Sequence, residues 1–228
     1  MVEDPMPGYY IKNILKKFVS LTFGDNKKFS RVVYWEKRAR QYGKKSVLDI
    51  RHSADEFDSV TKAQKDRMLP FLKKQLIGNE KAILDFGCGP GRFTVDLASL
   101  IKGKAIGVDP IKHLLDLAPR NQDVEYRLMS ETAIPLEADS IDIVWICLVL
   151  GCIEKTALKM TIDEIRRVLK SDGLLFLIEN TSEKKDAKHW RFRQFGEYKE
   201  MFPFISLVHL HDYFDFGERI SIMAGRKV

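Results

Sequence analysis

Ile83-Leu84-Asp85-Phe86-Gly87-Cys88-Gly89-Pro90-Gly91-Arg92 is the stretch that decides how this 228-residue chain folds. Apolar residues run into three glycines at alternate positions, and Phe93, Leu97, Leu100 and Ile101 then recur at helix spacing. The order is strand, tight turn, helix. Glycine suits such a turn because a side chain would block both the sharp bend and the approach of a ligand to the backbone. The N-terminus of the next helix aims its unpaired N–H groups into the same space. Eighteen residues after Gly91, the apolar run Ala105-Ile106-Gly107-Val108 ends in Asp109. A carboxylate at the tip of a neighbouring strand can accept both hydroxyls of a ribose.

Outward from this stretch, strands and helices alternate. Strands are expected near 81–86, 104–108, 124–128, 141–148 and 173–179, and helices near 91–101, 111–118 and 156–170. Ser171-Asp172-Gly173 is expected to stop the last helix. Such alternation calls for a parallel sheet covered on both faces. Ligands then sit beyond the carboxyl ends of the strands. After Thr181 comes a charged loop, then an aromatic helical segment closed by Pro203. Two strands, Ile205 to Leu210 and Arg219 to Ala224, are joined by Asp212 to Gly217, too short a link for anything but an antiparallel hairpin. Before the core, Asp49 to Ser59 reads as a loop. A helix follows from about Thr61 to Leu76, with Pro70 expected to kink or divide it and Gly78-Asn79 ending it.

Two cofactor classes compete for the glycine turn. A dinucleotide fingerprint spaces its last two glycines three apart, whereas here they are two apart. Asp85 also closes the first strand, where a dinucleotide site has no regular need of an acid. The stretch Leu84 to Gly91 closely resembles the first motif of the class I S-adenosylmethionine-dependent methyltransferases. Ile106 to Asp109 resembles the second motif. Ile134 to Val144 is similar to the family's approach to its fourth strand, and Ile165 to Gly173 to its turn before the fifth. Asp142 and Arg167, within those last two stretches, read as structural caps and pairs. The resemblance covers roughly residues 81–180 and, less fully, the terminal hairpin.

It implies a Rossmann-like, mostly parallel seven-stranded α/β sheet with helices on both faces and an antiparallel end. It implies S-adenosylmethionine as cofactor, with Gly87, Gly89 and Gly91 admitting the methionine portion and Asp85, Cys88 and Pro110 among the cofactor-binding residues. Asp109 would hold the ribose, Ile111 would lie against the adenine, Ser130 and Glu131 at the adenine edge, and the backbone near Cys147 at the amino group. Members of the family using acid–base chemistry often carry a histidine just past the fourth strand, and Leu150-Gly151-Cys152-Ile153-Glu154 has none. The remaining candidates for a base are Glu179 at a strand tip, His189, His211, and His52 if the N-terminal segment folds over the pocket.

Composition suits a soluble globular protein, and no apolar run approaches the length of a membrane span. Cys88, Cys147 and Cys152 lack paired-ligand spacing, which suggests free thiols in a reducing cytoplasm. His209 and His211 would share one face of a strand, but no acid or cysteine cluster joins them, so no metal site is expected. The net charge of +6 is uneven: Lys12 to Lys45 carries +9 and the rest of the chain −3. At the start of this basic part, Ile11, Ile14, Leu15, Phe18, Val19 and Thr22 fall on one helical face. Residues 9–23 would pack on the domain as a lid, with peripheral membrane contact as the lesser reading. Phe29 to Tyr42, with Tyr34, Trp35, Arg38 and Arg40, would roof a small-molecule pocket.

Residues 1–60 are thus expected as a basic helical lid, and 61–228 as a methyltransferase domain with an acceptor-site insertion near 181–204. The function expected is methyl transfer to an oxygen or nitrogen of a small anionic acceptor in the cytoplasm. An RNA methyltransferase tracking phosphates with the +9 segment ranks lower. A non-catalytic cofactor-binding partner subunit is the other alternative.

Overall fold

The computed structural model describes residues 30–130 and 133–228. Seven strands form one sheet in the order β3-β2-β1-β4-β5-β7-β6. They are β1 (Ala82–Phe86), β2 (Lys104–Asp109), β3 (Val124–Leu128), β4 (Ile141–Cys147), β5 (Leu169–Asn180), β6 (Val208–Asp215) and β7 (Glu218–Arg226). β1 to β5 pair in parallel, and β7 pairs antiparallel with both β5 and β6. The helices are α1 (Arg31–Tyr42), α2 (Phe57–Gln75), α3 (Thr94–Ile101), α4 (Lys112–Leu115), α5 (Lys155–Val168) and α6 (Phe195–Met201).

Period-two alternation along the strands feeds two cores. Ile83, Ile143, Trp145 and Phe176 face α2 and α3, where Met68, Leu72, Leu97 and Ile101 cover them. Leu84, Val144, Ile146 and Leu177 face α5 and α6, where Ile165, Val168, Tyr198 and Phe202 cover them. Trp145 and Phe176 stack face to face at 5.2 Å between centroids, joining β4 to β5 at the first core. Asp142 accepts the Lys81 and Ala82 amides and pairs with Lys170, while Arg167 pairs with Glu164 and donates to Ile134 and Leu136 carbonyls. Both residues do structural work at the amino ends of the strands.

Several local expectations are corrected. The helix expected from Thr61 begins at Phe57, after a 3₁₀ turn (Ala54–Glu56) fixed by a reciprocal Ser53–Glu56 capping box. Pro70 does not divide it: α2 runs unbroken to Gln75. Pro70 and Asp66, whose carbonyl loses its helical partner, are both exposed residues, which leaves the break in the ladder on the solvent side. The helix ends before Gly78 because Glu80 takes the Ile77 and Gly78 amides. α5 stops at Val168 and β5 begins at once, with Asp172 turning through positive φ where the helix was expected to end. The terminal hairpin closes on two residues, Phe216 and Gly217, both at positive φ. A bulge lies between His209 and His211. It defeats the alternation that would put them on one face: His209 packs on Phe195 of the α6 side, His211 on Phe71 of α2.

Residues 31–228 form one compact unit, so 31–60 belong with the sheet and no boundary falls at residue 60. Ala39 of α1 packs on Ile111 and Leu114 at the carboxyl edge of β2. The helix expected over 9–23 lies outside the described residues.

Candidate active site

The carboxyl ends of β1, β2 and β4 open into one pocket, and α1 roofs it. The glycine turn sets its floor. Gly87 has φ +71, and a Cβ there would sit 2.6 Å from Val149. The amides of Gly87 and Cys88 both donate to the Val108 carbonyl, which draws the turn against β2. Gly89 lines the pocket as well, close beneath Val47. Gly91 does not line it. Its missing Cβ would meet the Tyr126 hydroxyl at 2.5 Å and Ala118 at 3.0 Å, so this glycine serves the packing of the turn on β3.

Asp109 ties the turn to the next connection. Its carboxylate accepts the Gly89 amide (2.9 Å) and the Ile111 amide (2.8 Å). A carboxylate has about four acceptor sites, so two stay open toward the pocket. Burial pushes its pKa up to about 6, against the pull of those two amides. Asp85 accepts a hydrogen bond from Thr94 Oγ1 (2.7 Å) and also lines the pocket. Burial pushes it to about 7. Cys88, Pro110, Ile111 and Cys147 line the pocket too, joined by Leu114 and Met129. Ser130 is exposed and outside the lining, and Glu131 lies outside the described residues.

The four candidate bases are scattered. Glu179 is fully buried behind the pocket, where it accepts the Val149 (2.9 Å) and Leu150 (2.8 Å) amides. It holds the loop after β4 in place. His211 stacks on Phe71 near the outer edge of the sheet, and His52 packs on Phe216 beside the hairpin turn; neither lines the pocket. His189 stacks on Tyr34 at 4.7 Å and meets the edge of Trp35, which does line the pocket. Burial and the Arg38 and Arg31 charges hold its pKa below the ordinary histidine value.

The segment after Thr181 reaches the same wall. Arg191 N–H donates to Gly151 O, Arg193 to Leu150 O, and Trp190 packs where a Gly151 side chain would be. From α1, Arg31 donates to Ile153 O (2.6 Å) and lies 3.5 Å from Glu154. Trp35 and Val32 complete the roof, whereas Arg38 turns away to the Ser46 and Leu48 carbonyls. Arg31, Arg92 and Met129 line the pocket without having been singled out as site residues from the sequence, whereas Val149 and Cys152 lie in the strand-end stretch 147–152 that the sequence does mark. Arg92 carried a signal, since it is the charged residue directly after the last glycine.

Residues 83–173 match the methyltransferase domain family. The chain is 37% identical over 116 residues to an uncharacterized methyltransferase-like protein of Schizosaccharomyces pombe, covering 50% of this chain and 43% of that one. It is 27% identical over 165 residues to phosphoethanolamine N-methyltransferase 1 of Caenorhabditis elegans, covering 68% of this chain and 32% of the relative. The chain thus spans less than half the length of these curated relatives. In fold it is similar to geranyl diphosphate C-methyltransferase from Streptomyces coelicolor, solved with S-adenosyl-L-homocysteine. That match has a TM-score of 0.61 at 15% identity, over 86% of this chain and 98% of the other.

Proposed function

We propose that this chain, which carries a class I S-adenosylmethionine-dependent methyltransferase domain, methylates an oxygen or nitrogen of a small anionic acceptor. The residues present fit the cofactor. Gly87 and Gly89 leave a cradle free of side chains, Asp109 keeps open acceptor sites for ribose hydroxyls, and Ile111, Leu114 and Met129 form an apolar wall for adenine. Asp85 offers an anion for the amino group. The cofactor supplies an electrophilic methyl on a sulfonium that is already a good leaving group.

The roof over the pocket is the observation that supports a small acceptor. Val32, Trp35 and Ile153 close the space above Cys147 and Val149, leaving an entry suited to a compact molecule and not to folded RNA. Arg31 beside that entry favours a phosphate or carboxylate. The phosphoethanolamine N-methyltransferase likeness agrees with an amine that carries phosphate. Alignment of such an acceptor within the roof supplies much of the rate, on the order of 7–11 kcal/mol in well-oriented intramolecular models. We assign the acceptor's proton to His189, which meets the edge of the pocket-lining Trp35 and whose pKa is held below the ordinary histidine value.

Calorimetry with S-adenosylmethionine, then transfer of labelled methyl to a panel of phosphorylated amines, sugars and carboxylates, tests this. Absence of cofactor binding ends the reading, and label on RNA alone redirects it. Asp109→Ala is expected to cost at least 10-fold in cofactor affinity, about the loss of one charge-assisted hydrogen bond. Unchanged affinity rejects the ribose assignment.

A further inference from the structure

Arg92 carries a charge that its neighbours do not neutralise. Its side chain lines the pocket beside Asp85, Gly87 and Cys147. Nε donates to Thr61 Oγ1 (3.0 Å), and a terminal nitrogen donates to Gln64 Oε1. Both acceptors are neutral groups on α2. Phe57 and Phe93 flank the guanidinium at 5.8 and 4.9 Å from their ring centroids. Among the described residues it forms no ion pair, and burial pulls its pKa down.

A half-buried guanidinium without a counter-anion has lost part of its hydration, so a protein that keeps one in a pocket gains when a ligand supplies the anion. Arginine has five N–H donors, and the two bonds to α2 leave the rest of the fork free. The anion on offer nearby is Asp85. The two groups feel each other's charge, yet they do not pair, and Asp85 is instead engaged by Thr94. A fixed cation and a fixed anion held apart in one pocket are the complement of an amino-acid zwitterion. The methionine arm of the cofactor has that chemistry, with a carboxylate and an ammonium on one carbon.

We propose that Arg92 is the receptor for the carboxylate of the cofactor's amino-acid arm, with Thr61 and Gln64 holding the guanidinium in the receiving position. This rests on the cofactor reading above and extends the site to α2. It also makes Arg92 a specificity residue, since a cofactor lacking the carboxylate would cover the charge and leave it unpaired.

Calorimetry with S-adenosylhomocysteine and its decarboxylated analogue tests it. The wild-type chain is expected to prefer the carboxylate-bearing ligand by about 10- to 100-fold, the range for a hydrogen-bonded charge. Arg92→Met should abolish the preference by weakening S-adenosylhomocysteine alone, and Arg92→Lys should keep part of it. If Arg92→Met fails to fold, Gln64→Met decides, and a several-fold fall in the preference is expected. Equal weakening of both ligands, or no weakening of either, overturns the assignment. A raised acceptor KM with intact S-adenosylhomocysteine binding overturns it too, by giving Arg92 to the acceptor. A wild-type chain that binds neither ligand overturns the cofactor reading and this assignment together.

Discussion

Asp85 occupies a place that disfavours its charge. Buried at the tip of β1, with Asp109 adding repulsion, it has its pKa pushed to about 7, far above the 3.8 of a free aspartate. The folded state therefore binds this proton more tightly than the unfolded state. Its stabilising contribution is complete below pH 3.8 and is lost as pH rises through about 7. Asp85→Asn should accordingly raise the melting temperature most at pH 8, less at pH 5, and leave it nearly unchanged only below pH 3.8, which differential scanning calorimetry would read. The same carboxylates should be ionised when a cationic sulfonium and ammonium are bound. Affinity for S-adenosylmethionine is expected to climb between pH 5.5 and 8, with proton release that shows as a buffer-dependent binding enthalpy; a flat profile would count against Asp85 and Asp109 as the binding acids. Gly91 presents the opposite case, a motif residue whose work is packing. Gly91→Ala forces a Cβ into the Tyr126 hydroxyl at φ +70, and it should cost about 1–3 kcal/mol of stability. Pairing it with Tyr126→Phe should recover the part of that cost that comes from the hydroxyl.

The loop after β4 is held from three directions, and that makes it a wall of the site. Glu179 of β5 takes two of its amides, Arg193 and Arg191 bind its carbonyl side, and Arg31 of α1 reaches Ile153. Glu179→Ala would leave the Val149 and Leu150 amides buried without partners. The expected loss is about 1–3 kcal/mol, or roughly 2–4 °C in melting temperature for each kcal/mol in a domain of this size. Weaker cofactor binding should accompany it, because Val149 closes over Gly87. Glu179→Gln keeps one acceptor and should recover part of both. A variant with unchanged stability and lost turnover would instead make Glu179 a direct participant. α1 is the roof, and Trp35→Ala should open it; acceptor KM is expected to rise more than cofactor affinity falls.

Across the whole molecule, binding should be felt where elements meet at the pocket. Hydrogen exchange with and without S-adenosylhomocysteine is expected to show added protection in α1, in the 85–92 turn and in the 147–153 loop, with β6 unchanged. At a ligand concentration of 100 Kd the linked gain in stability is about 2.7 kcal/mol. Protection confined to the turn would mean that α1 is no roof. The sheet and the covering of both its faces were legible in the chain because they rest on short-range pattern: period-two and helical spacing, and glycines at alternate positions. The helix start at Phe57 was misread because a capping box reset the boundary, and Pro70 leaves α2 undivided where a break was one expectation. The His209–His211 bulge has no signature of its own. Local sequence by itself determined the strand–turn–helix order, hence the fold class and the cofactor family. Only tertiary structure decided that Gly91 packs and does not cradle, that Glu179 braces a loop, and that Arg92 stands in the pocket with no ion pair among the described residues. Those roles depend on which distant side chains arrive alongside, on Tyr126, Val149, Thr61 and Gln64, and no local spacing encodes that meeting.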